Sequence, residues 1–214
     1  MPPTPFFPPG IPLRKRLFDL ALSVPLLVLS SPILALTALV ILIVDGPPIT
    51  FRQPRPGYRS QIFDLVKFRT MRVQQDADGH PLPDAQRLSP LGRTLRAFSL
   101  DELPELLHVV RGQMSLVGPR PLLVQYLERY SPEQARRHDV LPGITGWAQI
   151  NGRNTLDWDE KFRLDVWYVD HWSLALDVRI LFLTFWKVIK REGISQPGQA
   201  TSGEFMGSQD KIDT

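Results

Sequence analysis

The stretch LALSVPLLVLSSPILALTALVILIV, from Leu20 to Val44, carries no charged residue. An apolar run of roughly 25 residues is long enough to cross a bilayer as a helix. A cleaved signal peptide would have a shorter apolar core, about 7–15 residues, ending in a small-residue cleavage site. No such site precedes Asp45, so that reading is rejected. Ser30-Ser31-Pro32 falls in the middle of the run, with Pro25 before it. Proline removes a backbone hydrogen bond and kinks a helix, and serine hydroxyls take up the freed carbonyls. Arg14, Lys15 and Arg16 flank one end of the run, and Arg52, Arg55, Arg59 and Lys67 follow the other. The positive-inside rule places both flanks in the cytoplasm. A straight span cannot satisfy both, whereas a re-entrant helix-break-helix with its break at Ser31-Pro32 can. An ordinary kinked transmembrane helix is the competing reading.

The rest of the chain reads as one domain attached to this element. The sequence has 214 residues and a formal net charge of +3, enough chain for a real core. It has no cysteine, which excludes disulfides, thiolate metal sites and a thiol nucleophile. The basic residues are clustered, a distribution suited to phosphates. The expected fold class is α+β. Residues 1–47 form the re-entrant membrane element, and 48–197 a small, mostly helical cytoplasmic domain with a β-hairpin and amphipathic interfacial helices. Residues 198–214 form a polar, flexible tail.

Ile49-Thr50-Phe51 and Ile62-Phe63-Asp64-Leu65-Val66 read as the hairpin strands, with Pro54-Arg55-Pro56-Gly57 as the turn. Residues 91–98 read as a short helix bearing Arg93 and Arg96, and 132–138 as another. Pro142-Gly143-Ile144-Thr145-Gly146-Trp147 and Asn151-Gly152-Arg153-Asn154 read as loops whose glycines let backbone approach a ligand. The segment 174–190 combines Phe182, Phe185 and Trp186 with terminal Lys187 and Lys190. It suits a helix in the membrane interface, and equally a core helix of the domain.

The chemistry points to Ser99-Leu100-Asp101-Glu102-Leu103-Pro104. Two adjacent carboxylates follow a basic segment and precede Gly118-Pro119-Arg120-Pro121, where prolines hold Arg120 stiffly, as a preset anion contact requires. Ser99 and Glu102 also have the spacing of a capping box. A helix capped by Ser99 would, however, place Pro104 where its missing N–H and its ring both cost stability. Function and capping therefore both stand at this point. There is no P-loop, zinc helix or serine elbow, and His80, His108, His138 and His171 have no metal-ligand spacing. His108 reads as packed or solvated rather than catalytic.

Taken together, Lys67-Phe68-Arg69-Thr70-Met71, the acidic stretch, Met114 to Pro121 and Pro142 to Arg153 resemble the bacterial sugar transferase family, the monotopic phosphoglycosyl transferases. The likeness runs from about Arg16 to Ile194, and is to the minimal form without the extra N-terminal membrane domain of larger relatives. It implies transfer of a sugar 1-phosphate from a UDP-sugar to a polyprenyl phosphate, undecaprenyl phosphate among them, with release of UMP. It further implies Mg²⁺ held at Asp101 and Glu102, and a covalent intermediate on Asp101 with Glu102 assisting. Lys67, Arg96, Arg120 and Arg153 fall where the family gathers phosphates, Asp165 in a matching acidic position, and Ser31-Pro32 at its re-entrant break. The implied place is the cytoplasmic face of the bacterial inner membrane, in contact with membrane lipid and without nucleic acid. A homodimer is compatible with the resemblance. The alternatives are a non-catalytic membrane-anchored scaffold and an anionic-lipid-binding protein.

Overall fold

A computed structural model of the chain describes residues 5–74, 80, 82–152, 156–190 and 204–207. The apolar run lies within one helix, α1 (Leu13–Val44), of 32 residues. Its length is roughly 48 Å at about 1.5 Å per residue, more than the ~30 Å hydrocarbon core of a bilayer. The helix does not unwind where the break was expected and stays helical through Pro25 and Pro32. Pro32 leaves the carbonyl of Val28 without its N–H donor, and Ser31 Oγ donates to that oxygen at 2.7 Å. The serine thereby compensates the proline, and the helix continues.

One face of α1 lies along the domain. Its buried positions, Arg16, Asp19, Ser23, Ser30, Thr37 and Ile41, recur at helical spacing. Leu22, Leu29, Leu36 and Ile43 are exposed. Small and polar residues face in and large apolar ones face out, the reverse of a helix on a soluble protein.

Both ends of α1 are docked on the same domain. At the start, Lys15 Nζ donates to Asp177 Oδ2 at 2.7 Å and to the Val117 carbonyl at 3.2 Å. Arg16 donates to the carbonyls of Phe6, Val109 and Val110. At the other end Ile41 packs with Phe68 and Leu95, and Arg69 donates to the carbonyls of Asp45, Gly46 and Pro47. Lys15 and Arg16, read from sequence as part of a basic flank of the apolar run, are internal fastenings.

Strands β1 (Thr50–Pro56) and β2 (Ile62–Phe68) form the antiparallel hairpin, in register from Thr50↔Phe68 to Pro56↔Ile62. The turn is Tyr58–Ser60 rather than Pro54 to Gly57. Arg59 and Ser60 take the positive φ that reverses the chain. Pro54 and Pro56 sit in β1, tolerated because a two-stranded sheet has only edge strands.

After α2 (Asp84–Arg87) comes α3 (Pro90–Ala97), capped by Ser89 Oγ, which accepts from Gly92 N at 2.8 Å. A 3₁₀ turn (Leu100–Glu105) leads into α4 (Leu106–Val110). Strand β3 (Ser115–Val117) pairs in parallel with β4 (Gly143–Thr145), so the expected loop at 142–147 is partly a strand. Between them lie α5 (Pro132–Ala135) and short 3₁₀ turns, and after them α6 (Trp147–Asn151), α7 (Trp158–His171) and α8 (Leu174–Lys190). A Cβ on Gly143 would lie 2.1 Å from Gly118 N. These motif glycines let backbone approach backbone rather than a ligand.

The main core gathers Phe63, Leu65, Leu106, Val109, Met114, Tyr168 and Ile180. Helix α8 enters the core through Leu176 and Ile180, while Val178, Phe182, Phe185 and Trp186 are exposed. A second cluster joins Tyr126, Tyr130 and Phe162 to Phe205. Of the tail read as flexible, 204–207 lie among the described residues; there Phe205 is 2% exposed, and its N–H donates to Tyr126 Oη at 3.1 Å, while the rest lies outside the described residues.

Candidate active site

The 3₁₀ turn places Asp101 and Glu105 inward and leaves Glu102 half-buried. Ser99 does not cap it; it adopts a left-handed conformation (φ 54°) without a side-chain cap bond. Pro104 lies in the turn just ahead of α4, close to the first-turn position where proline fits.

Three elements bring cations to this turn. Lys67, from β2, places Nζ 2.8 Å from both Glu102 Oε1 and Glu105 Oε1. Arg120, from the loop after β3, donates through Nη2 to Glu102 Oε1. Arg96, from α3, has Nε 3.0 Å from Thr70 Oγ1, to which it donates, and its charge reaches Asp101.

The electrostatics separate the carboxylates. Burial, then the charge of Glu102, raise the proton affinity of Asp101, opposed by Lys67, Arg96 and Arg120. Burial also disfavours the Glu102 carboxylate, but Arg120 and Lys67 overcome it and hold Glu102 well below the usual range. Burial raises Glu105 despite Lys67. Glu102 is thus a fixed anion between two cations, and Asp101 a less stabilised, more basic carboxylate beside it.

Lys67, Arg96, Asp101, Glu102 and Arg120 are brought together, and Arg153 lies outside the described residues. Asp165 is elsewhere: its Oδ2 accepts from Arg137 Nε at 3.1 Å and Nη2 at 2.8 Å, with both side chains buried. Arg137 Nη2 also donates to the carbonyl of Arg120 at 2.7 Å. Asp165 is thus linked, through Arg137, to the backbone of the Arg120 loop. Sequence reading missed Glu105; its four-residue spacing from Asp101 was the available signal. His108 is packed, with Nε2 accepting from Val66 N at 3.0 Å and Nδ1 2.7 Å from Gln113 Oε1.

A family model described as bacterial sugar transferase matches residues 12–191. The chain belongs to the bacterial sugar transferase family. It is 54% identical over 196 residues to the uncharacterized sugar transferase EpsL of Bacillus subtilis (strain 168), covering 92% of this chain and 97% of that one. It is 43% identical over 198 residues to the undecaprenyl-phosphate glucose phosphotransferase of Komagataeibacter xylinus, covering 86% of this chain but 36% of that longer protein. With the UDP-glucose:undecaprenyl-phosphate glucose-1-phosphate transferase of Caulobacter vibrioides it shares 41% over 187 residues, 82% of this chain and 69% of the other. Within this family setting, the Lys67–Glu102–Arg120 cluster and Asp101 are the candidate machinery.

Proposed function

We propose that this sugar transferase moves a sugar 1-phosphate from a UDP-sugar to polyprenyl phosphate, such as undecaprenyl phosphate, and releases UMP. The observation that carries the reading is Asp101, a carboxylate raised in basicity among Lys67, Arg96 and Arg120. An Asp101 oxygen attacks the phosphorus that bears the sugar. The bond from that phosphorus to the bridging oxygen breaks, and UMP departs with the electron pair. The lipid phosphate then attacks the same phosphorus and frees the Asp101 carboxylate. Carboxylates form such acyl-phosphate intermediates in other enzymes.

Glu102 is ionised and doubly paired, which favours a role in fixing Lys67 and Arg120 over one in moving protons. Arg96, Arg120 and Lys67 bind and orient the phosphates, as does Arg153 by its place in the motif. Asp165 holds Arg137 in place and so the loop that carries Arg120.

The reading includes Mg²⁺. Among the described residues no three His, Asp or Glu side chains gather as a ready cage. A site of one or two carboxylates completed by substrate phosphates is the usual one for this ion; Asp101 and Glu102 fit it. When bound, the ion would neutralise diphosphate charge so that an anion can approach an anion.

The reading places α1 as a re-entrant element at the cytoplasmic face of the inner membrane. Composition and length permit α1 to cross a membrane, but docking of both its ends on one domain supports entry and exit at the same face. The exposed apolar faces of α1 and α8 are suited to lipid. Purified protein with Mg²⁺, polyprenyl phosphate and a panel of UDP-sugars should release UMP with one or more of them. A folded protein that releases none would favour the scaffold alternative.

A further inference from the structure

Among the described residues two half-buried arginines, Arg55 and Arg87, have an Nε buried without an acceptor, and Arg87 is ion-paired with Asp84. Arg16 and Arg69 each bind three carbonyls, and Arg137 binds Asp165, Tyr130 and the Arg120 carbonyl. Arg55 differs. Its Nη2 donates to Gln53 Oε1 at 2.6 Å, while its Nε is buried without an acceptor. Among the described residues no carboxylate lies within ion-pair distance of it.

The hairpin register directs Arg55 toward the candidate site. Gln53, Arg55, Phe63, Leu65 and Lys67 share one face of the hairpin, through the pairs Arg55↔Phe63, Gln53↔Leu65 and Phe51↔Lys67. Phe63 and Leu65 bury that face against the core, where Leu106 follows the acidic turn. Arg55 therefore lies on the same face as Lys67, nearer the hairpin turn. Burial and the repulsion of Arg120 lower its proton affinity to about 10, with Glu105 acting the other way. Two guanidinium groups that repel each other, one with an unanswered N–H, form an arrangement that an oxyanion between them would relieve.

We propose that Arg55 and Arg120 form a phosphate-oxyanion subsite on the Glu105 side of the acidic turn, with Arg55 contributing its unanswered Nε–H. The subsite rests on the phosphoglycosyl-transfer reading above, and its ligand is either the nucleotide diphosphate or the lipid phosphate head. Both present the same chemistry, a tetrahedral phosphate that accepts a guanidinium fork. Gln53 orients Arg55 from the same strand face.

The test compares full-length wild-type protein with Arg55→Gln, Arg55→Lys and, as control, Arg52→Gln, an exposed arginine on the same strand. In one arm the KM for UDP-sugar is measured at saturating polyprenyl phosphate; in the other, the KM for polyprenyl phosphate at saturating UDP-sugar. Arg55→Gln should raise one of the two at least tenfold with a smaller change in kcat, and the arm affected identifies the phosphate held. Arg55→Lys should recover part of the loss, because it keeps the charge but not the fork. Arg52→Gln should match wild type. In parallel, UDP and inorganic pyrophosphate should raise the melting temperature of wild type more than that of Arg55→Lys, a binding readout independent of turnover. The subsite is overturned if wild type is active and Arg55→Gln keeps both KM values within twofold, or if Arg52→Gln loses as much. If Arg55→Gln does not fold, Arg55→Lys decides, and equal ligand stabilisation of that variant and wild type overturns the subsite. If wild type releases no UMP, the transfer reading fails and the melting-temperature arm alone judges the subsite.

Discussion

Asp101 and Glu102 are neighbours in the chain and opposite in proton affinity: burial and the charge of Glu102 raise the first, and Arg120 and Lys67 lower the second against its own burial. Adjacent titratable groups pushed apart in this way divide their roles. Asp101 must be ionised to attack, so activity requires a pH above its raised pKa. The acid limb of kcat/KM should therefore lie above the ordinary aspartate range. Glu102→Gln removes one cause of the rise and releases Lys67 and Arg120 to act on Asp101. The acid limb should then move to lower pH as the rate falls. A limb at the same pH in both enzymes would contradict the division.

Asp165→Asn should act on stability first. The substitution leaves Arg137 buried without its counter-ion, a loss of about 3–5 kcal/mol in comparable buried pairs. Chemical denaturation should show a reduced midpoint, and activity of the folded fraction should fall less than in any change at Asp101. An Asp165→Asn protein with wild-type stability and no turnover would instead place Asp165 at the substrate.

The proposed topology of α1 rests on its two docked ends. The chain has no cysteine, so single cysteines at exposed Phe7 and exposed Asp64 report on either side of the helix. In intact cells both should resist an impermeant thiol reagent, and both should react once the membrane is opened. Reaction of Phe7→Cys alone in intact cells would mean that α1 crosses. The double change Ser31→Ala and Pro32→Leu should leave this pattern unchanged, because the Lys15–Asp177 and Arg69–Asp45 fastenings persist.

Much of this architecture was legible beforehand, for identifiable reasons. Local signals carried the apolar helix, the hairpin, the Pro90 and Pro132 helices and the acidic turn, since each rests on neighbours within a few residues. The errors came from distant partners. The polar stripe of Ser23, Ser30 and Thr37 makes sense only once the domain lies beneath it. Lys15 meets Asp177 across 162 positions, and nothing near either residue announces the pair. Gly143 looked like a ligand loop because its neighbour Gly118 is distant in sequence. Phe205 sat in a polar tail, and only the cage of Tyr126, Tyr130 and Phe162 explains its burial. At the site, Asp101, Glu102, Lys67, Arg96 and Arg120 stand out from the motifs, whereas Glu105 needed the fold.

The central claim is that Asp101 becomes covalently attached to the sugar phosphate. Wild-type protein and Asp101→Asn should be incubated with a UDP-sugar that supports turnover, without polyprenyl phosphate, and examined by intact mass and by peptide mapping. The account predicts a phosphosugar adduct on the peptide containing Asp101 in wild type, its discharge when polyprenyl phosphate is added, and no adduct or turnover in a folded Asp101→Asn protein. An Asp101→Asn enzyme that still releases UMP, or an adduct on any other residue, would contradict it.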